Sequence, residues 1–106
     1  MNAEEFVTIF KKQKDSMVKI YLETSKTLVS KLINDLKLNH EQKPIMGEIV
    51  DELLTDAFYT TLMGLDGEAN IGGIQQTYKI YDEDNNLISN CGDIEAAMGI
   101  LVGEEI

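Results

Sequence analysis

The first 38 residues contain neither glycine nor proline. A stretch so free of turn formers has few ways to bend. Its apolar residues recur at helical spacing, at Phe6, Ile9, Phe10, Met17, Ile20, Tyr21, Leu28, Leu32, Ile33 and Leu36. Asn2 followed three residues later by Glu5 reads as a capping box. Glu4 and Glu5 suit the positive helix start, and Lys37 suits the negative end. The pattern predicts one long helix over about 3–37, with Asp15-Ser16 and Glu23-Thr24-Ser25 as the places where it can kink. Unbroken, it would reach ~50 Å, more than a chain of this length spans comfortably. Either the helix breaks or part of it packs on another subunit.

A second capping signature follows, with Asn39 as N-cap and Gln42 at the third helical position. Pro44 falls in the first turn, where its missing amide has no helical acceptor. Ile45, Met46, Ile49, Val50, Leu53, Leu54, Ala57, Phe58, Leu62 and Leu65 then advance in steps of three and four. They predict a helix over about 41–65, ended by Gly64 and Gly67. The short link around Asn39 folds the two helices into an antiparallel hairpin.

Residues 65–73 (LDGEANIGG) read as a loop, and 75–81 (QQTYKIY) as a strand rich in β-formers. Asp82 to Asn86 make a turn, and Leu87 to Cys91 return as the partner strand. Asn85-Asn86 suits positive φ in a two-residue turn, and a four-residue loop also fits, so the register stays open. A last helix opens at Gly92-Asp93, with Asp93 as N-cap and Ile94, Ala97, Met98 and Leu101 facing inward, and the tail GEEI is expected to fray. The order is α-α-β-β-α, an α+β fold in one domain over 1–106. The hairpin must bury Tyr78, Ile80 and Ile88 against helices, because a lone hairpin is marginal in water.

Charge narrows the function. Residues 1–43 hold eight lysines and six acids, a balance of +2, while residues 44–106 hold Lys79 alone and thirteen acids, −12. There is no arginine. Such a field favours a cationic partner and disfavours nucleic acid or an anionic membrane. No stretch has the roughly 18–20 apolar residues of a membrane span, and the acidic start Met-Asn-Ala-Glu-Glu-Phe is unlike a signal peptide. One cysteine, Cys91, cannot form an internal disulfide. Together these point to the cytoplasm, and the lysine-only basic set with seven asparagines fits a bacterial host with AT-rich codons.

No constellation here supports catalysis, a metal or a cofactor. The Asp82–Asn86 turn lacks the Gly, apolar residue and Glu that an EF-hand needs at positions six, eight and twelve, where Leu87, Ser89 and Asp93 stand. His40, the only histidine, lies in the inter-helix link and reads as a surface capping-turn residue, so a dinuclear carboxylate site has no Glu-x-x-His pair. Cys91 and Ser89 have no histidine base beside them, and Cys91 reads as a small buried hydrophobe. The glycines at Gly72-Gly73 precede a strand, not a phosphate-binding helix start. Tyr59, Tyr78, Tyr81 and Phe58 sit in the −12 half without interleaved cations, so they read as core or protein interface.

What remains is a stripe of carboxylates. Glu48, Asp51, Glu52 and Asp56 share the polar side of the second helix, and Glu48, Glu52 and Asp56 stand four apart. Each like-charge pair at that spacing costs a few tenths of a kcal/mol. Three readings stay open: a plain solvated face, a face neutralised by lysines of the first helix, or a docking face for a basic partner.

Residues 62–88 (LMGLDGEANIGGIQQTYKIYDEDNNLI) resemble a segment of small uncharacterised bacterial proteins, some of them similar to immunity proteins encoded beside secreted toxins. The matching positions are Leu65, Asp66, Gly67, Gly72, Gly73, Tyr78, Asp82, Glu83 and Leu87, with Asn86 in place of the usual turn glycine. The segment is about a quarter of the chain and carries no catalytic residue. Asp66 within it reads as structural, its carboxylate accepting from the amides of Gly67 to Ala69.

The functional expectation is a non-enzymatic acidic interaction protein, sharpened by the resemblance to an immunity-type inhibitor of a basic toxin. Its contact residues are Glu48, Asp51, Glu52, Asp56, Glu83 and Asp84. The alternatives are a small-ligand or metal-binding protein or enzyme with a site between the hairpin and the second helix, near Tyr59, Gln76 and Tyr78, and a structural homodimer formed through the first helix.

Overall fold

In the computed structural model, residues 1–90 and 92–103 are described. The readings of Cys91 as a buried hydrophobe and of Glu104 to Ile106 as frayed fall outside them. The elements run α1 (Ala3–Glu23), α2 (Leu28–Asp35), α3 (Gln42–Leu65), β1 (Ile80–Tyr81), β2 (Leu87–Ser89) and α4 (Asp93–Val102). The fold is α+β and mostly helical, with one two-stranded antiparallel sheet among the described residues.

The long first helix does not persist. It runs straight through Asp15-Ser16 and breaks at Thr24, where the backbone turns extended (φ −130°, ψ 178°). Hydroxyls cause the break by offering the backbone partners that compete with the helix ladder. Thr24 Oγ1 donates to the Ile20 carbonyl at 2.6 Å and accepts from the Lys26 amide at 3.2 Å. Thr27 then restarts the chain as α2 with a capping box: Ser30 N donates to Thr27 Oγ1 at 3.0 Å, and Thr27 N donates to Ser30 Oγ at 2.9 Å. The capping box expected at Asn2 is present, with Glu5 N donating to Asn2 Oδ1 at 2.8 Å.

α1 and α3 form the antiparallel pair. Phe10 meets Phe58, Lys14 meets Asp51, and Leu22 meets Gly47, so numbers rise along one helix as they fall along the other. Asn39 and Gln42 make their reciprocal bonds at 2.9 and 3.0 Å, though the regular helix begins only at Gln42.

The core gathers at one end of this pair. Ala3 and Val7 of α1, Leu62 of α3, and Ile94, Ala97, Met98 and Leu101 of α4 form the buried cluster, with Phe6, Phe10, Phe58 and Ile80 packed on it. The inward set expected for α4 is thus the observed one. Burying each large aliphatic contributes roughly 1.5–3 kcal/mol. Phe6, Phe10 and Phe58 stack edge to face at 5.0 and 5.7 Å, an arrangement that adds to simple burial.

The hairpin is shorter than its sequence pattern. Tyr81 pairs with Leu87 and Ile80 with Ser89, with a bulge between the pairs. Residues 75–79 have no ladder partner because the returning chain bends away at Asn90, whose carbonyl accepts the Asp93 amide at 3.0 Å on the way into α4. Ile88 and Ser89 are buried, Ile80 and Tyr78 half-buried. In the turn, the left-handed residue is Asn85 (φ 63°), and the residues between the paired Tyr81 and Leu87 are 82–86.

Candidate protein-interaction surface

Asp66 ends α3 and starts α4. Its side chain is buried (1% exposed). One carboxylate oxygen accepts from Gly92 N at 3.1 Å and Glu95 N at 2.9 Å, and the other accepts from Ser89 Oγ at 3.2 Å. Gly92 is the N-cap of α4, sits at φ 94° and has no side chain to cap with. Asp66 supplies the missing cap from another helix and satisfies amides that would otherwise be orphaned. This corrects two expectations. Asp66 does not accept from Gly67 to Ala69, and Asp93 is not the N-cap; its carboxylate accepts from Asn90 N instead, at 3.2 Å. The sequence could not reveal the Asp66 link, which spans 29 residues to Glu95.

Beside that cap, Asp66, Glu68 and Glu95 bring carboxylate oxygens within 4.8 Å of one another, the one such group among the described residues. Repulsion from Glu68, then burial, a hydrogen bond to Glu68 and repulsion from Asp66 push the Glu95 carboxyl above its ordinary pKa. The Asp66 oxygens are engaged by Ser89, Gly92 and Glu95, so their chemistry is capping. Sequence reading missed the group because Glu95 lies far along the chain from the other two.

Asp82 organises the hairpin turn. Its carboxylate accepts from Asp84 N and Asn86 N, both at 2.9 Å, and from the Met1 ammonium at 2.9 Å. The hydrogen bond to that ammonium, with the turn amides, holds the Asp82 carboxyl far below the usual carboxylate range. The same bond raises the Met1 amine. The turn is therefore tied to the start of α1 across 81 residues.

The six expected contact residues divide. Glu48, Glu52 and Asp56 are exposed on α3. Among the described residues, the ion pairs are Met1–Asp82, Lys11–Asp15, Lys14–Asp15 and Lys14–Asp51, and none reaches those three acids. Asp51 stands differently: Lys14 Nζ, nearly buried against α3, donates to Asp51 Oδ1 at 2.7 Å. Burial presses the Lys14 pKa down, and hydrogen bonds to Asp51 and Asp15 outweigh it and hold the value raised. Neutralisation by first-helix lysines is therefore realised at Asp51 alone among the six. Glu83 and Asp84 are exposed on the turn. That turn is anchored at Met1, whereas Asp56 shares a groove with Lys11 and Lys14. The two acidic groups thus stand at different levels along α1, one at its start and one beside Lys11 and Lys14.

A second concavity lies between the end of α1, α2 and the start of α3, lined by Leu22, Ile33, Leu38 and Met46 together with Asn34, Lys37 and Lys43. Tyr59 and Gln76 are exposed and Tyr78 is half-buried. His40 is exposed in the link before α3. Among the described residues no helix is long and apolar enough to cross a membrane.

No family model, curated protein or solved structure matches the chain.

Proposed function

We propose that this protein is a non-enzymatic interaction module that docks the carboxylates of α3 on a basic protein, in the manner of an immunity-type inhibitor covering a cationic active site. The observation that carries the reading is the run Glu48, Glu52, Asp56, exposed and outside any ion pair among the described residues, while the neighbouring Lys11 and Lys14 pair with Asp15 and Asp51. Carboxylates held outward at i, i+4 and i+8 repel one another mildly, and a cationic partner turns that repulsion into attraction. Electrostatic complementarity of this kind acts chiefly on association rate and on the choice of partner. Asp51 stays with Lys14, and Glu83 and Asp84 form a second, outlying contact for a partner long enough to reach them.

The test is kinetic. A partner co-purified from the native host is titrated against wild type and against the Glu48→Lys/Glu52→Lys/Asp56→Lys variant at low and high salt. The on-rate is expected to fall roughly tenfold or more with charge reversal, and similarly with salt. An on-rate indifferent to both contradicts the reading. A secreted-toxin gene beside this one would support the inhibitor role, and a metabolic operon would count against it.

A further inference from the structure

We propose that the end of the molecule built from α2 and the first half of α3 is an interface between two copies of this chain, the outward apolar stripe of α2 packing on that of α3 in the second copy and the reverse. α2 is turned inside out. Its one buried residue is Ser30, whereas Leu28, Leu32 and Leu36 are 55% to 72% exposed. On α3, Ile45, Ile49 and Leu53 repeat the same i, i+4, i+8 spacing and are 47% to 63% exposed. Summed over the two stripes, six aliphatics so exposed amount to several hundred Å² of apolar surface, the scale of the largest patch an ordinary monomer carries, which is often functional. That is the scale of the ~800 Å² each partner contributes to a standard interface.

A two-fold interface uses the same patch twice, so the patch must complement itself. Charge satisfies this. Residues 26–37 hold Lys26, Lys31 and Lys37 against Asp35, a balance of +2. Residues 45–56 hold Glu48, Asp51, Glu52 and Asp56 with no cation, −4, and with Asp51 held by Lys14 of α1 the face offers Glu48, Glu52 and Asp56, −3. In the pair, each basic α2 region meets an acidic α3 region, and the attraction occurs twice. Most of the net charge stays away from the contact: residues 57–106 hold nine acids and Lys79, −8 of the total −10. At physiological salt that repulsion is screened beyond about 8 Å. The inference does not rest on the basic-partner reading. The two meet at Glu48 and Glu52, where a cationic protein would displace the second copy.

Sedimentation of the full chain from about 1 to about 500 μM, the range of weak to moderate interfaces, tests it. The expected result is a rise to twice the chain mass. Leu28→Glu/Leu32→Glu is expected to remain a single copy with unchanged helical circular dichroism, and Lys31→Glu to weaken association by roughly tenfold. Should the α2 variant lose helical signal, Ile49→Glu on α3 replaces it and must give the single-copy mass. A single-copy mass at every concentration overturns the proposal, as does a dimer that Ile49→Glu and the α2 variant both leave intact.

Discussion

The two ends of this elongated molecule, 47 × 29 × 29 Å, are built on opposite principles. At one end, α1, α3 and α4 converge on Val7, Leu62, Ile94 and Leu101, all essentially free of water. Polar links reinforce that end over long sequence distances: Asp66 caps α4, and Met1 is tied to Asp82. At the other end, α2 is eight residues long, too short to be stable alone in water. Its polar links are local, to Thr24, Ser25 and Thr27, and its leucines face outward. The contrast teaches that helical pattern and core are separate matters. The same i, i+4 spacing builds the interior at one end and an outward-facing apolar stripe at the other.

Substitutions break the comparison where they fall on the wrong side of it. Leu62→Ala, in the packed end, is expected to cost about 2–5 kcal/mol, the range for truncating a fully buried leucine. Leu32→Ala at the open end is expected to stay within about 0.5 kcal/mol in dilute protein. Denaturant titration of both variants decides, and equal losses would erase the distinction between the ends. Asp66→Ala comes next, at about 2–4 kcal/mol, because two amides of α4 and the Ser89 hydroxyl lose a buried anionic acceptor. An Asp66→Ala protein that kept its melting temperature would remove the cap from the account.

Smaller effects sharpen the contrast. Thr27→Ala removes the N-cap of α2 at about 1 kcal/mol. The loss should appear as faster amide exchange in α2, with little change in the global melting temperature. The Met1–Asp82 tie gives a pH signature. Asp82 titrates low in the folded chain, so its contribution is complete above the ordinary carboxyl value of 3.8 and is lost as pH falls toward the depressed value. Met1 titrates high, so its share is complete below the ordinary amine value of 8.0 and is lost as pH rises through the raised one. Protection of hairpin amides should therefore be greatest between those two values. Asp82→Asn should flatten that dependence, and a wild-type profile unchanged across the range would contradict the tie.

Much of this architecture was legible in the residues. The inward face of α4, the α3 span and the antiparallel helix pair follow from periodicity and capping residues, which are local signals. Glu23-Thr24-Ser25 was recognisable as a weak point, though only the hydroxyl bonds of Thr24 and Thr27 show why the helix stops there. The shortened hairpin was not legible, because strand extent depends on a partner that leaves at Asn90. Nor was the capping role of Asp66, or the pairing of Asp51 with Lys14 while Glu48, Glu52 and Asp56 stay unpaired among the described residues. Those depend on which residues of distant segments are brought together. Spacing placed the acids on one helix and could not say which of them a lysine reaches.

The division between the ends is tested most directly by amide hydrogen exchange of the wild-type chain at several protein concentrations. In dilute protein, residues 28–36 should exchange by local opening, while Leu62 and the buried residues of α4 exchange only with global unfolding. As concentration rises, protection should grow in α2 and along the outward face of α3, and stay constant in α4. Protection in α2 that matched α4 in dilute protein and ignored concentration would contradict both the weakness assigned to that end and the second copy proposed to cover it.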